Sequence, residues 1–173
     1  MELKITRAEL KDIPTIQQLA NVAFRHTYAK ILQPQQMDYM LDMMYGTDSL
    51  IPQVTAPGKE FYLAEYQGTL CGYASFEFEK MLNNETPQYH LQKLYLEPQF
   101  HGNGLGKELF DFIVSRMKEL SPNGFRLELN VNRYNKTVTF YEHLGLYRSR
   151  EGDFPIGNGY YMNDYIYALD YKG

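Results

Sequence analysis

The stretch Leu94-Tyr95-Leu96-Glu97-Pro98-Gln99-Phe100-His101-Gly102-Asn103-Gly104-Leu105-Gly106-Lys107 decides the reading of this chain. An apolar run ends at Pro98, which lacks the N–H that a sheet ladder needs. Three glycines follow at alternating positions, and from Leu105 onward Leu109, Phe112, Ile113, Met117 and Leu120 keep helical spacing. The order is strand, glycine loop, helix. Glycine lets a backbone approach a ligand and adopt conformations that other residues resist. The first N–H groups of a helix have no intrahelical partner and lie at the positive end of its dipole. A pyrophosphate suits that place, although a tight turn that binds nothing has the same spelling. A Rossmann loop would read G-x-G-x-x-G near the start of a βαβ unit, with an acidic residue after the next strand. Here the spacing is G-x-G-x-G, it lies past the middle of the chain, and the next strand ends in Val131-Asn132-Arg133. The Rossmann reading is set aside.

Upstream, Gln88–Leu96 reads as a strand and Met81–Pro87 as a polar, turn-rich stretch. Glu60–Tyr66 and Thr69–Glu79 form a hairpin around Gln67-Gly68. Residues 47–59, with Pro52, Pro57 and Gly58, read as a loop with room for a short helix. Gln35–Tyr45 reads as a helix stopped by Gly46. An earlier helix shows one face of Ile13, Ile16, Leu19, Ala20, Ala23 and Phe24, with Asp12 as its cap and Pro14 in its first turn. Leu3 and Ile5 mark a first strand. Downstream, Pro122-Asn123-Gly124 ends the central helix and Phe125–Val131 alternates as a strand. Asn135–Leu144 reads as a helix stopped by Gly145. Leu146–Glu151 and Tyr160–Tyr167 read as strands joined by the glycine-rich Asp153–Gly159. This predicts an α/β protein of α+β type: one domain over residues 1–173, with a mixed central sheet of about seven strands flanked by about four helices.

A length of 173 residues suits one domain with a sizeable core. The net charge of −4 argues against a nucleic-acid partner, which would call for a basic face. It is compatible with a cationic substrate. Cys71 is the single cysteine, so no intrachain disulfide forms, which fits a reducing cytoplasm. No apolar run approaches the length that spans a bilayer, and the start MELKITRAELKD has no signal-peptide core. A cytoplasmic protein without a membrane partner is the expectation.

With strand, loop and helix placed, the stretch resembles motif A of the GNAT superfamily of N-acetyltransferases, Gln/Arg-x-x-Gly-x-Gly/Ala. His101 stands where the family has Gln or Arg. Downstream, Asn135-Lys136-Thr137-Val138-Thr139-Phe140-Tyr141-Glu142-His143-Leu144-Gly145-Leu146 resembles the family's motif B, with Val138 for the usual Ala and Leu146 for the usual Phe. The N-terminal Phe24–Tyr28 segment, and Ile156–Tyr161 with Asp164-Tyr165, are similar to the spermidine/spermine (PaiA-like) branch. The resemblance implies acetyl-CoA as co-substrate, CoA as product and no metal. It implies that the amides of His101, Gly102, Asn103, Gly104, Leu105, Gly106 and Lys107 hold the pyrophosphate. The strand end Leu94, Tyr95 and Leu96 would pair with the pantetheine arm like an added strand. Asn135 would hydrogen-bond that arm, and Asn130 the cofactor or a water that positions the acceptor.

The same resemblance implies direct attack by an amine, with no acyl-enzyme, and places Tyr141 beside the CoA sulfur. A phenol is protonated at neutral pH and can donate to a thiolate. His90 lies 11 residues before His101, where some members place a glutamate base, and an imidazole titrates in the right range. Glu77 and Glu79 share one strand face; they are either a charged outer face or alternative bases and ammonium anchors. Phe24, Tyr28, Glu77, Tyr160 and Tyr161 are the expected acceptor wall, aromatic and acidic, suited to an alkyl ammonium. Cys71 reads as a small core residue. His26 and His143 lack partners at metal-ligand spacing. The acceptor is then a small-molecule amine or polyamine, or alternatively a peptide N-terminus. A non-catalytic acyl-CoA-binding module is the reading from another class, and a homodimer is compatible with all of these.

Overall fold

A computed structural model describes residues 2–83 and 85–173; Met1, and Asn84 in the turn-rich Met81–Pro87 stretch, lie outside the described residues. The elements run β1 (Leu3–Arg7), α1 (Ile13–Tyr28), α2 (Pro34–Tyr45), α3 (Thr47–Thr55), β2 (Lys59–Tyr66), β3 (Thr69–Met81), β4 (Pro87–Leu96), α4 (Leu105–Leu120), β5 (Phe125–Asn132), α5 (Thr137–His143), β6 (Tyr147–Gly157) and β7 (Tyr160–Tyr171). The strands form one seven-stranded mixed sheet in the order β1-β2-β3-β4-β5-β7-β6. β4 and β5 pair in parallel, from Gln88 with Arg126 to Leu91 with Leu129. A parallel pair needs a crossover, and α4 provides it.

Three local differences from the sequence reading have physical causes. Residues 47–55 are helical despite Pro52. The Gln53 amide supports this turn by donating to the carbonyls of Ser49 at 2.9 Å and Met44 at 3.2 Å. Asp12 accepts the Glu9 N–H at 2.8 Å, so its carboxylate serves the preceding 3-10 turn rather than capping α1. The expected loop Asp153–Gly159 is mostly strand: β6 runs to Gly157, pairing Asp153 with Asn163 and Pro155 with Tyr161. The turn itself is Asn158-Gly159, at φ +53° and +77°, the geometry that two-residue hairpins favour. Pro155 is tolerated because β6 is the edge strand.

The chain divides into two compact units, Met1–Glu77 with Gln92–Arg116 and Phe78–Leu91 with Met117–Gly173, so that β3, β4 and α4 each run through both. In the first unit Ile16, Phe24, Leu50, Phe61, Tyr73 and Leu109 are fully enclosed. Glu60, 8% exposed, is held there by Arg116 at 2.8 Å, by Arg7 at 3.4 Å and by the Tyr62 hydroxyl. In the second unit Phe125, Leu127, Leu129, Tyr167 and Ala168 are buried around the β5–β7 ladder. No helix among the described residues is long and apolar enough to cross a membrane.

Candidate active site

The glycine loop belongs to the first unit. Its strand end is fixed from β3: the Glu97 N–H donates to the Cys71 carbonyl at 2.8 Å. Gly72 lets the chains approach this closely, since a Cβ there would lie 2.3 Å from the Tyr95 carbonyl oxygen. After a short 3-10 turn at Pro98–Phe100, His101 folds back and its Nε2–H donates to the Leu96 carbonyl at 2.9 Å. The imidazole thus fastens the loop to the strand. Gly102 and Gly104 adopt φ of +84° and +75°, and a Cβ on either would meet open space. They are glycines for backbone conformation, and they leave the approach to the first turn of α4 clear. Lys107 in that turn pairs with Asp111 one turn on.

Two of the expected acceptor residues, Phe24 and Tyr28, come together on α1, ring centroids 4.5 Å apart. Both are buried in an aromatic cluster. Tyr95 lies 6.4 Å from Phe24 and its hydroxyl is 3.4 Å from that of Tyr28; Tyr45 and Tyr73 share a hydroxyl contact of 2.7 Å. Burial raises the pKa of Tyr45 and of Tyr73, so both remain neutral. Glu77 is engaged elsewhere, by Gln92 at 2.7 Å and Lys59 at 3.2 Å. Cys71 is buried, and burial pushes its thiol up to about 11, as suits a core residue.

In the second unit α5 is two turns long and starts at Thr137, two residues later than the sequence pattern implies. Asn135 precedes it, and its side-chain oxygen accepts the Thr137 N–H at 3.0 Å. Tyr141 is 7% exposed and its ring lies 5.1 Å from that of Phe140. His90 sits on β4 with Nδ1 3.7 Å from the Glu79 carboxylate. Asn130 is exposed in the middle of β5, and its amide donates to Asp164 at 3.1 Å. Tyr160 and Tyr161 begin β7 just past the hairpin turn, Tyr161 being 54% exposed.

Sequence reasoning missed two features. Lys93 and Ser75 are buried polar side chains that line one cavity of the first unit. Asp164 is fully buried, with one carboxylate oxygen lacking a partner among the described residues. Burial raises its pKa, against the Asn130 bond and the Arg133 charge. A lysine or serine in an alternating strand carries no mark of which face is enclosed. Among the described residues no group of three or more His, Cys, Asp or Glu could hold a metal ion.

A model of the acetyltransferase (GNAT) domain matches residues 28–154. An uncharacterized N-acetyltransferase of Lactobacillus delbrueckii subsp. lactis is 29% identical, covering 90% of this chain and 91% of its own. An uncharacterized N-acetyltransferase of Mycobacterium bovis is 24% identical over 77% of this chain and 81% of its own. Among solved structures, the PaiA N-acetyltransferase of Thermoplasma acidophilum, in complex with coenzyme A, superposes with a TM-score of 0.80 at 21% identity, covering 99% of this chain and 100% of that one. The sheet order, the glycine loop entering α4 and a family match over most of the chain lead to one conclusion: this protein belongs to the GNAT family and is an N-acetyltransferase.

Proposed function

We propose that the chain transfers the acetyl group of acetyl-CoA to a primary amine of a small molecule, a polyamine being the best fit. The observation that carries the co-substrate is the loop His101–Lys107, where two glycines at positive φ leave open space before the first turn of α4. An added Cβ at Gly104 would intrude on that space, and backbone N–H groups there suit a pyrophosphate. The amides of Gly102 to Lys107 hold the phosphates; the backbone of Leu94, Tyr95 and Leu96 takes the pantetheine arm, with Asn130 and Asn135 as further polar contacts. When bound, acetyl-CoA supplies an activated thioester.

The chain's own groups supply the proton transfers. Tyr141 is the acid: its phenol holds a proton at the end of a buried side chain and releases it to the leaving sulfur. His90 takes the proton of the incoming ammonium, its Nδ1 lying 3.7 Å from the Glu79 carboxylate. Asn130 is exposed on β5, and its amide nitrogen is already committed to Asp164, leaving the side-chain oxygen for a ligand. The polyamine reading draws on the PaiA-like Phe24–Tyr28 and Ile156–Tyr161 segments, and on Tyr160 and Tyr161 at the head of β7. Glu77 would anchor an ammonium only by leaving Lys59.

The test is acetyl-CoA-dependent thiol release across a panel of amines. Tyr141→Phe keeps the ring and removes the donor, so turnover should fall about a hundredfold or more with melting temperature little changed. Turnover within about threefold of the parent in a folded Tyr141→Phe protein would remove this residue from the mechanism. Gly104→Val should abolish thermal stabilisation by CoA, which binds the native state.

A further inference from the structure

We propose that the cavity lined by Lys93 and Ser75 is a binding site for the carboxylate of a small organic acid. It is a half-open cleft of about 390 Å³ in the first unit, between α2 and α3 on one side and β3 and β4 on the other. That volume lies in the range of small-molecule sites. Lys93 is 5% exposed. Its ammonium donates to the Gln53 carbonyl oxygen at 2.6 Å and lies 5.0 Å from the centre of the Tyr45 ring. Neither partner is an anion, and Lys93 forms no ion pair among the described residues. Ser75, 3% exposed, has a buried hydroxyl with no partner among the described residues. A buried ammonium with spare donors and an unsatisfied hydroxyl therefore line the same cavity. Burying such groups is unfavourable unless something pairs with them.

The lining selects the ligand. Of the other donors in the lining, Lys59 is paired with Glu77, and Ser49, Gln53 and Gln92 donate to Met43, Ser49 and Glu77; Lys93 and Ser75 then offer the few donors a carboxylate accepts. A phosphate dianion needs more of them and would also face the Glu77 carboxylate, which lines the cavity. Glu77 does not neutralise Lys93, because it is held by Lys59 and Gln92. Met43, Met44, Pro52 and Phe76 supply the apolar part of the wall, which suits an acid with a short hydrocarbon body.

The groups around the ammonium also set its response to pH. Burial pushes Lys93 down to about 8, with Glu77 raising it and Lys59 lowering it. Tyr45 and Tyr73, the phenols nearby, are held neutral by burial. Carboxylate binding needs the charged lysine, so affinity weakens as pH rises through about 8.

Calorimetric titration of the full chain, without acetyl-CoA, tests this with hexanoate, 6-aminohexanoate, hexylamine and inorganic phosphate. Both carboxylates should bind at pH 7 and weaken by pH 9, whereas hexylamine and phosphate should not bind. Lys93→Met should weaken hexanoate about tenfold or more, as loss of a charged hydrogen bond does. Ser75→Ala should weaken it severalfold, and with the pH series it decides the matter if Lys93→Met does not fold. In a second assay with acetyl-CoA added, acetylation of 6-aminohexanoate would make the carboxylate the acceptor's own; binding without acetylation would make this a separate acid site. Either supports the proposal. Absence of hexanoate binding, binding unchanged in both variants, or phosphate or hexylamine binding as tightly would overturn it. None of the binding outcomes depends on the roles of Tyr141 or the glycine loop.

Discussion

Lys93 and Glu128 are buried alike, at 5% and 3% exposure, yet the protein provides for them differently. Glu128 receives Arg126 at 2.9 Å, Arg150 through two hydrogen bonds at 3.0 Å, and the Gln88 amide at 3.4 Å. Burial alone would raise its pKa, but the arginine hydrogen bonds and charges outweigh that and hold the carboxyl below its usual range. Lys93 has one neutral acceptor and an aromatic face, and burial prevails. The difference separates a charge that is part of the scaffold from one that awaits a partner. A buried ion with its counter-ions built in holds strands together. A buried ion without them weakens the empty protein and strengthens a complex.

The comparison is broken most severely at Glu128. Glu128→Ala takes the buried anion from Arg150 and leaves Arg126 only the more exposed Asp170 at 3.3 Å, and should destabilise by about 3 kcal/mol, toward the lower end for a broken buried pair because Arg150 is 56% exposed. Urea unfolding at pH 7 measures it; a loss under about 1 kcal/mol would mean that solvent screens both arginines.

Lys93→Met should move stability the other way. Its folded pKa of about 8 lies below the ordinary 10.5, so the unfolded chain binds the extra proton and the parent is penalised below pH 8. The penalty shrinks as pH rises from about 8 to 10.5 and is gone above that range. The variant should gain up to about 2 to 3 kcal/mol at pH 7, less whatever the Gln53 bond contributes. A gain that did not decline toward pH 10.5 would show that burial of the charge is not its source.

The acid limb sharpens the other side. Because the Glu128 pKa is lowered on folding, its contribution is present above the ordinary carboxylate range and is lost as pH falls through the folded value. The stability difference between the parent and Glu128→Gln should hold from about pH 7 to 5 and narrow below about pH 4.

The smallest effect is expected at Ser75. Its hydroxyl has no partner to lose among the described residues, so Ser75→Ala should change stability by under about 1 kcal/mol, in either direction. A loss above about 2 kcal/mol would reveal a hydrogen bond there, and would make the cavity part of the scaffold.

Much of this protein was legible in one dimension because its signals are local. Gly102 and Gly104 announce positive φ, Gln67-Gly68 announces a two-residue turn, and the apolar spacing of α1 and α4 announces their buried faces. Motifs A and B add identity, since a backbone cradle and a short helix each require particular residues at particular offsets. The extension of β6 to Gly157 was not legible: Pro155 and two glycines argue for a loop, and edge pairing with β7 overrides them. Nor did Phe24 and Tyr28, read as an acceptor wall, reveal that Tyr45, Tyr73 and Tyr95 would enclose them in a cluster.

By itself, then, the sequence determined the order of the strands along the chain, the glycine loop and the family, all of which follow from neighbours along the chain. The tertiary structure alone decided which charges are paired. Whether a buried carboxylate meets Arg126 and Arg150, or a buried ammonium meets, among the described residues, only Gln53 and the Tyr45 ring, depends on residues up to 48 positions apart. Coulomb energies in a low-dielectric interior depend on those separations in space and on the water excluded around them.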